Sequence, residues 1–135
     1  MGYYKNLQIT QDAETKKEKT MKLLTKEIEK KLTNRNAEIA QRNRANSYEF
    51  FDNDKVIAKY FNPYGNGTWY IMSGKKQPDG DWILFGLCEI FDREWGDVSL
   101  NELEKLELPL GLTIERDRYY DGQYSDLKKL HSERW

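Results

Sequence analysis

The stretch WILFGLCEIF, residues 82–91, constrains the fold more than any other. It is apolar at odd and even positions alike, so an extended chain here has to bury both of its faces. It follows QPDGD (77–81), where proline presets φ and glycine accepts the positive φ that closes a turn. Ahead of that turn, TWYIMSG (68–74) has the aromatic and β-branched content of a strand. Together these segments predict a hairpin whose second strand lies centrally in a sheet covered above and below.

The remaining segments supply the sheet and its cover. KVIAKYF (55–61) reads as a strand that stops at Asn62-Pro63, and EWGDV (94–98) as a short strand after the central one. Ser99-Leu100-Asn101-Glu102 is a capping box that starts the helix LNELEKL, which Pro109 and Gly111 end. LTIERDRYY (112–120) reads as the last strand and its exit, and YSDLKKLH (124–131) as a closing helix with Ser125 as its candidate cap. Upstream, Met21, Leu24, Ile28 and Leu32 form one apolar stripe at helical spacing, with Thr15 and Glu18 as the capping box. Thr33-Asn34 interrupts the pattern, and Asn34 caps a second short helix over 35–44. The fold class is α+β: an antiparallel meander of four or five strands, with an N-terminal amphipathic helix and short helices packed on it. Residues 1–20 read as an extension and 21–135 as one domain, which at this length needs neither metal nor disulfide to hold it.

Composition narrows the function classes. The single cysteine, Cys88, excludes an intrachain disulfide and fits a reducing compartment. No apolar run approaches a membrane span, and the first residues lack the apolar core of a secretory signal, so the expected location is the cytoplasm. The formal net charge of −1 is unevenly spread. Residues 1–46 carry eleven Lys/Arg against six Asp/Glu, and residues 47–135 eleven against seventeen. Lys22, Lys26, Lys30, Arg42 and Arg44 are therefore candidate phosphate contacts, although Lys and Glu interleave there as they do on a solvated helix face.

The motif search yields no complete catalytic set. NPYGNGTWY (62–70) has neither the glycine spacing of a dinucleotide fingerprint nor the Gly-Lys-Ser/Thr of a P-loop, and it leads into a strand. It reads as a turn. Alternation then sends Trp69 and Ile71 to one face and Tyr70 and Met72 to the other, one pair core and the other a candidate binding surface. In Glu115-Arg116-Asp117-Arg118, the carboxylates share one face and the guanidinium groups the other. With Glu94 and Asp97 expected nearby, Glu94, Glu115 and Asp117 are candidate acid, base or Mg²⁺-holding groups; an ion-pair network at strand ends is the simpler account. One Cys and one His, His131, do not make a zinc site, and no cofactor is expected. Trp69, Tyr70, Trp95, Arg116 and Arg118 are the candidate binding residues.

The segments MKLLTKEIEKKL, NPYGNGTWY, PDGDWILFGLC, EWGDVSLNELEKL and LPLGLTIERDRYY, taken in order, resemble domain of unknown function family 2958 over about residues 21–121. The resemblance implies a bacterial protein carried on plasmids, conjugative elements and prophages, often beside anti-restriction genes, and it brings no assigned activity. Two departures stand out: the family begins near Met21, and Asp97 occupies a position where an aromatic is common. The leading expectation is a non-enzymatic accessory protein of a mobile element that binds a protein partner, of the counter-defence type. The alternatives are a nucleic-acid-binding module using the basic N-terminal helix, and a carboxylate- and Mg²⁺-dependent enzyme acting on nucleic acid. Self-association stays open.

Overall fold

The computed structural model describes residues 22–45 and 49–133. Met21, the capping pair Thr15 and Glu18, and the 1–20 extension lie outside them. Helix α1 spans Lys26–Arg44. Four strands follow: β1 (Ala58–Phe61), β2 (Thr68–Lys76), β3 (Trp82–Glu89) and β4 (Arg93–Ser99). Helix α2 (Leu100–Lys105), a 3-10 turn (Pro109–Gly111), strand β5 (Glu115–Arg116) and helix α3 (Tyr124–Ser132) complete the order. The five strands form one sheet in the order β4-β3-β2-β1-β5, every pairing antiparallel, so the fold is α+β. Strands β1 to β4 make the expected meander. The chain then crosses from one edge to the other to add β5 beside β1.

Both faces of β3 are covered, as its unbroken apolar run requires. On one face Ile28 and Leu32 of α1, Leu100 and Leu103 of α2, and Ile114 pack on Trp69, Ile71 and Leu84. On the other, Phe50 and Leu127 pack on Tyr70, Met72 and Leu87, with Phe85, Trp95, Tyr120 and Tyr124 around them. The QPDGD hairpin closes as its chemistry dictates. Gln77 N–H donates to Asp81 O at 2.7 Å, and Gly80 takes φ +93°. Gly86 answers to close approach instead, because a Cβ there would sit 1.8 Å from the carbonyl oxygen of Tyr70, next to the irregularity in β2 between Ile71 and Ser73.

Three local features differ from the sequence reading. The break at Thr33-Asn34 does not occur and α1 is continuous. The Thr33 hydroxyl donates back to Glu29 O at 3.0 Å within the helix, and Arg35 is buried. Thr25 caps this helix, its hydroxyl accepting from Ile28 N–H at 3.1 Å. Helix α3 begins at Tyr124 as read, but its cap is Gln123 and not Ser125: the Asp126 carboxylate accepts from Gln123 N–H at 2.9 Å. Within 112–120, read as the last strand and its exit, only Glu115 and Arg116 pair as strand.

Helix α1 also closes part of the sheet. Strand β1 pairs with β2 only as far as Ile71, which leaves β2 carbonyls beyond it without strand partners. Arg35 Nη1 donates to Met72 O at 2.7 Å and Nη2 to Lys55 O at 2.9 Å, while Asn36 Nδ2 donates to Gly74 O at 2.8 Å. Backbone acceptors that would be orphaned are thus satisfied by helix side chains. No helix among the described residues is long and apolar enough to cross a membrane.

Candidate functional site

The carboxylates expected to work together are held apart. Glu94 lies on β4 and Glu115 on β5, the two opposite edges of the sheet. Four strand intervals separate them, about 19 Å. The strand order that the 100–114 crossover produces therefore corrects the expectation that Glu94 joins Glu115 and Asp117. Asp117 is engaged structurally: its N–H donates to Lys59 O at 2.9 Å, and its carboxylate lies 3.6 Å from Lys59 Nζ. Among the described residues no group of three or more His, Cys, Asp or Glu side chains is placed to hold a metal ion.

Trp69 and Tyr70 correct a second expectation. They point to opposite faces, as alternation requires, yet they are 7% and 9% exposed. Neither pair is the outward one, because α3 and Phe50 cover the face that a one-layered sheet would leave bare. Burial, followed by the Glu89 carboxylate nearby, pushes the Tyr70 hydroxyl's pKa well above its ordinary value. Cys88 is half-buried, and burial, with Asp97 and Glu94 adding to it, pushes its thiol up to about 11. His131 is exposed on α3, its ring 5.9 Å from that of Trp95.

Of the five candidate phosphate contacts, Arg42 is taken. Its Nη1 donates to Asp54 Oδ2 at 2.6 Å and its Nη2 to Oδ1 at 3.0 Å, a bidentate pair. Burial acts to raise the Asp54 pKa, but the bonds from Arg42 and from Phe51 N–H win and hold its carboxyl below the usual range. Lys22, Lys26, Lys30 and Arg44 remain on the surface.

Among the described residues the structure assembles grooves that the sequence does not announce, and two of them bear on function. The first, about 670 Å³, is walled by Phe50, Phe51, Phe85, Trp95 and Tyr124, with Glu49, Asp52 and Lys128 at its rim. Its rings form a connected set. Phe85 stacks on Phe50 and on Trp95 with centroids 6.0 Å apart, and Tyr124 tilts against Phe50 at 5.3 Å and Trp95 at 5.6 Å. Phe51 is 41% exposed and carries the Arg42 guanidinium 3.7 Å from its centroid. Lys128 Nζ contacts the Asp52 carboxylate. Of these residues only Trp95 stands out in the sequence. The doublet Phe50-Phe51 is the signal that was there to find: two adjacent large rings before a polar turn. The second groove, about 540 Å³, runs between the start of α1, the 55–59 segment and residues 116–121. It brings Lys26, Arg116, Asp117 and Arg118 together.

Fold and grooves define the class: a small α+β protein built on an open five-stranded antiparallel sheet with both faces clothed. The chain belongs to the family described as "Protein of unknown function (DUF2958)", whose family model matches residues 23–128. No curated protein and no solved structure matches the chain significantly.

Proposed function

We propose that this chain is a non-enzymatic binding protein that holds a protein partner in the aromatic groove, and that it serves a bacterial mobile element as an accessory of the counter-defence type. One observation carries the binding reading: five aromatic rings converge on one open groove, with Phe51 exposed at its lip. Large rings in a concave site are where binding energy concentrates in protein interfaces. Lys128 already contacts Asp52 and Arg42 already covers one face of Phe51, so the groove's remaining offer to a partner is its apolar ring surface. The separation of Glu94 from Glu115 and Asp117 across the sheet favours binding over acid–base catalysis by those groups. The mobile-element setting rests on the family resemblance alone.

The test compares immobilised wild type, Phe51→Ala and Phe91→Ala for capture of proteins from nuclease-treated bacterial lysate. Phe91 is the control: it is 94% exposed, but in the β3–β4 turn, outside the groove. The expected result is a stoichiometric protein retained by wild type and Phe91→Ala, with affinity reduced at least about tenfold by Phe51→Ala. Equal capture by Phe51→Ala, with unchanged melting, removes the groove from this reading.

A further inference from the structure

The second groove concentrates positive charge on a molecule whose body is acidic. Residues 49–133 hold seventeen Asp/Glu against ten Lys/Arg. Yet this groove gathers Lys26 and Lys31 from α1, Lys55 and Lys59 from the first strand region, and Arg116 and Arg118 from the β5 segment. Setting aside Arg116 and the Lys59–Asp117 pair, Lys26, Lys31, Lys55 and Arg118 stand against Glu27 and Asp121, an excess of two positive charges. Concave walls of one sign focus the field and raise the local concentration of a counter-charged ligand.

Glu27 and Asp121 do not close the site. Glu27 lies 3.3 Å from Lys31 and Asp121 3.1 Å from Lys55, but all four side chains are more than half exposed. Such pairs are worth at most about 1 kcal/mol, so an arriving phosphate displaces them at small cost. Lys59 is better fixed. Its ammonium sits 5.4 Å from the Tyr70 centroid, 5.0 Å from that of Tyr120, and 3.6 Å from Asp117, so it is engaged on the sheet face away from α1 and is not counted among the phosphate contacts. The first turn of α1, the positive end of a nineteen-residue helix, lines the same wall.

We infer that this groove binds the phosphates of a nucleotide or of a nucleic-acid strand. It differs from the expectation of a basic helix face: three elements distant in sequence contribute, and Arg42 does not. The guanidinium group of Arg118 suits phosphate oxygens, and the groove volume admits a nucleotide-sized ligand. The site shares no lining residue with the aromatic groove, so either can fail without the other.

The experiment titrates the full chain into a fluorescein-labelled twelve-nucleotide oligothymidylate and, separately, into a fluorescent ATP analogue, at several salt concentrations. Lys26→Glu/Arg118→Glu is compared with Lys129→Glu, an exposed α3 lysine outside the groove. Binding is expected to weaken at least about tenfold in the double variant and to lose about 0.7 of log–log salt slope for each phosphate contact removed. Lys129→Glu should leave it unchanged. Oligonucleotide bound more tightly than the ATP analogue assigns the phosphates to a strand; equal affinities assign them to a free nucleotide. Absence of binding to both probes at low salt overturns the inference. So does equal weakening by Lys129→Glu, or full binding by a folded double variant.

Discussion

Asp81 ends the QPDGD turn, and in the sequence it reads as a turn residue and nothing more. In the fold its side chain is buried and joins two elements. One carboxylate oxygen accepts from the Ser99 hydroxyl at 2.6 Å; the other accepts from Trp82 N–H at 2.7 Å and Asn101 N–H at 3.0 Å. Ser99 meanwhile accepts from Glu102 N–H at 3.2 Å, so the hairpin turn and the α2 cap are one network. The Ser99 hydroxyl, with the two amides, holds the Asp81 carboxyl below its ordinary pKa. A depressed pKa contributes stability above the unfolded value and loses it as pH falls through the folded one. Asp81→Asn is therefore expected to lower the melting temperature by several degrees at pH 7. The gap to wild type should close below about pH 4 as the wild-type carboxyl protonates; circular dichroism melts across that range check both. The cap at Ser99 was legible because its partner lies three residues away. The link to Asp81 was not, because it spans 18 positions. Trp69 and Tyr70 failed as surface residues for the same reason: alternation says which faces they take, not what covers those faces.

At the scale of the element, α1 shows how one buried cation overrides local signals. Thr33-Asn34 is a weak break on propensity alone, worth a fraction of a kcal/mol per residue. Arg35, buried and bonded to two backbone carbonyls, outweighs it. Burial lowers the Arg35 pKa, and the Asp54 and Glu38 carboxylates oppose that shift. Arg35→Ala strands both acceptors in the interior, which predicts a loss on the order of 3 kcal/mol. Urea denaturation checks this through a lower midpoint at unchanged slope. Arg35→Lys, which has no planar fork to reach both carbonyls, should recover only part of the loss. The helical stripe Ile28 and Leu32 was readable from spacing, and both residues are core. That an arginine belonged to the same stripe was not, since its partners are carbonyls of β2 and of the segment before β1.

For the whole molecule, the meander β1 to β4 was legible from turn chemistry and strand composition, whereas the position of β5 was not. Hairpins announce their neighbour; a crossover does not. That missing step separated the expected carboxylate group and built the basic groove from residues more than eighty positions apart. Cys88 offers a probe of the assembled state. With its thiol at about 11 rather than the ordinary value, alkylation of the native protein at pH 8 is expected to run more than about a hundredfold slower than in the unfolded chain. Its urea profile should coincide with that of circular dichroism; labelling ahead of the optical transition would show that β3 and β4 part before the rest. The cover that α1 gives to β2 has one more consequence, in the order of synthesis. A ribosome delivers α1 before β2, so the guard has emerged before the strand whose carbonyls it satisfies. On nascent chains that edge need never stand bare, and a circular permutant that moves α1 to the end would meet its neighbours with the edge unguarded.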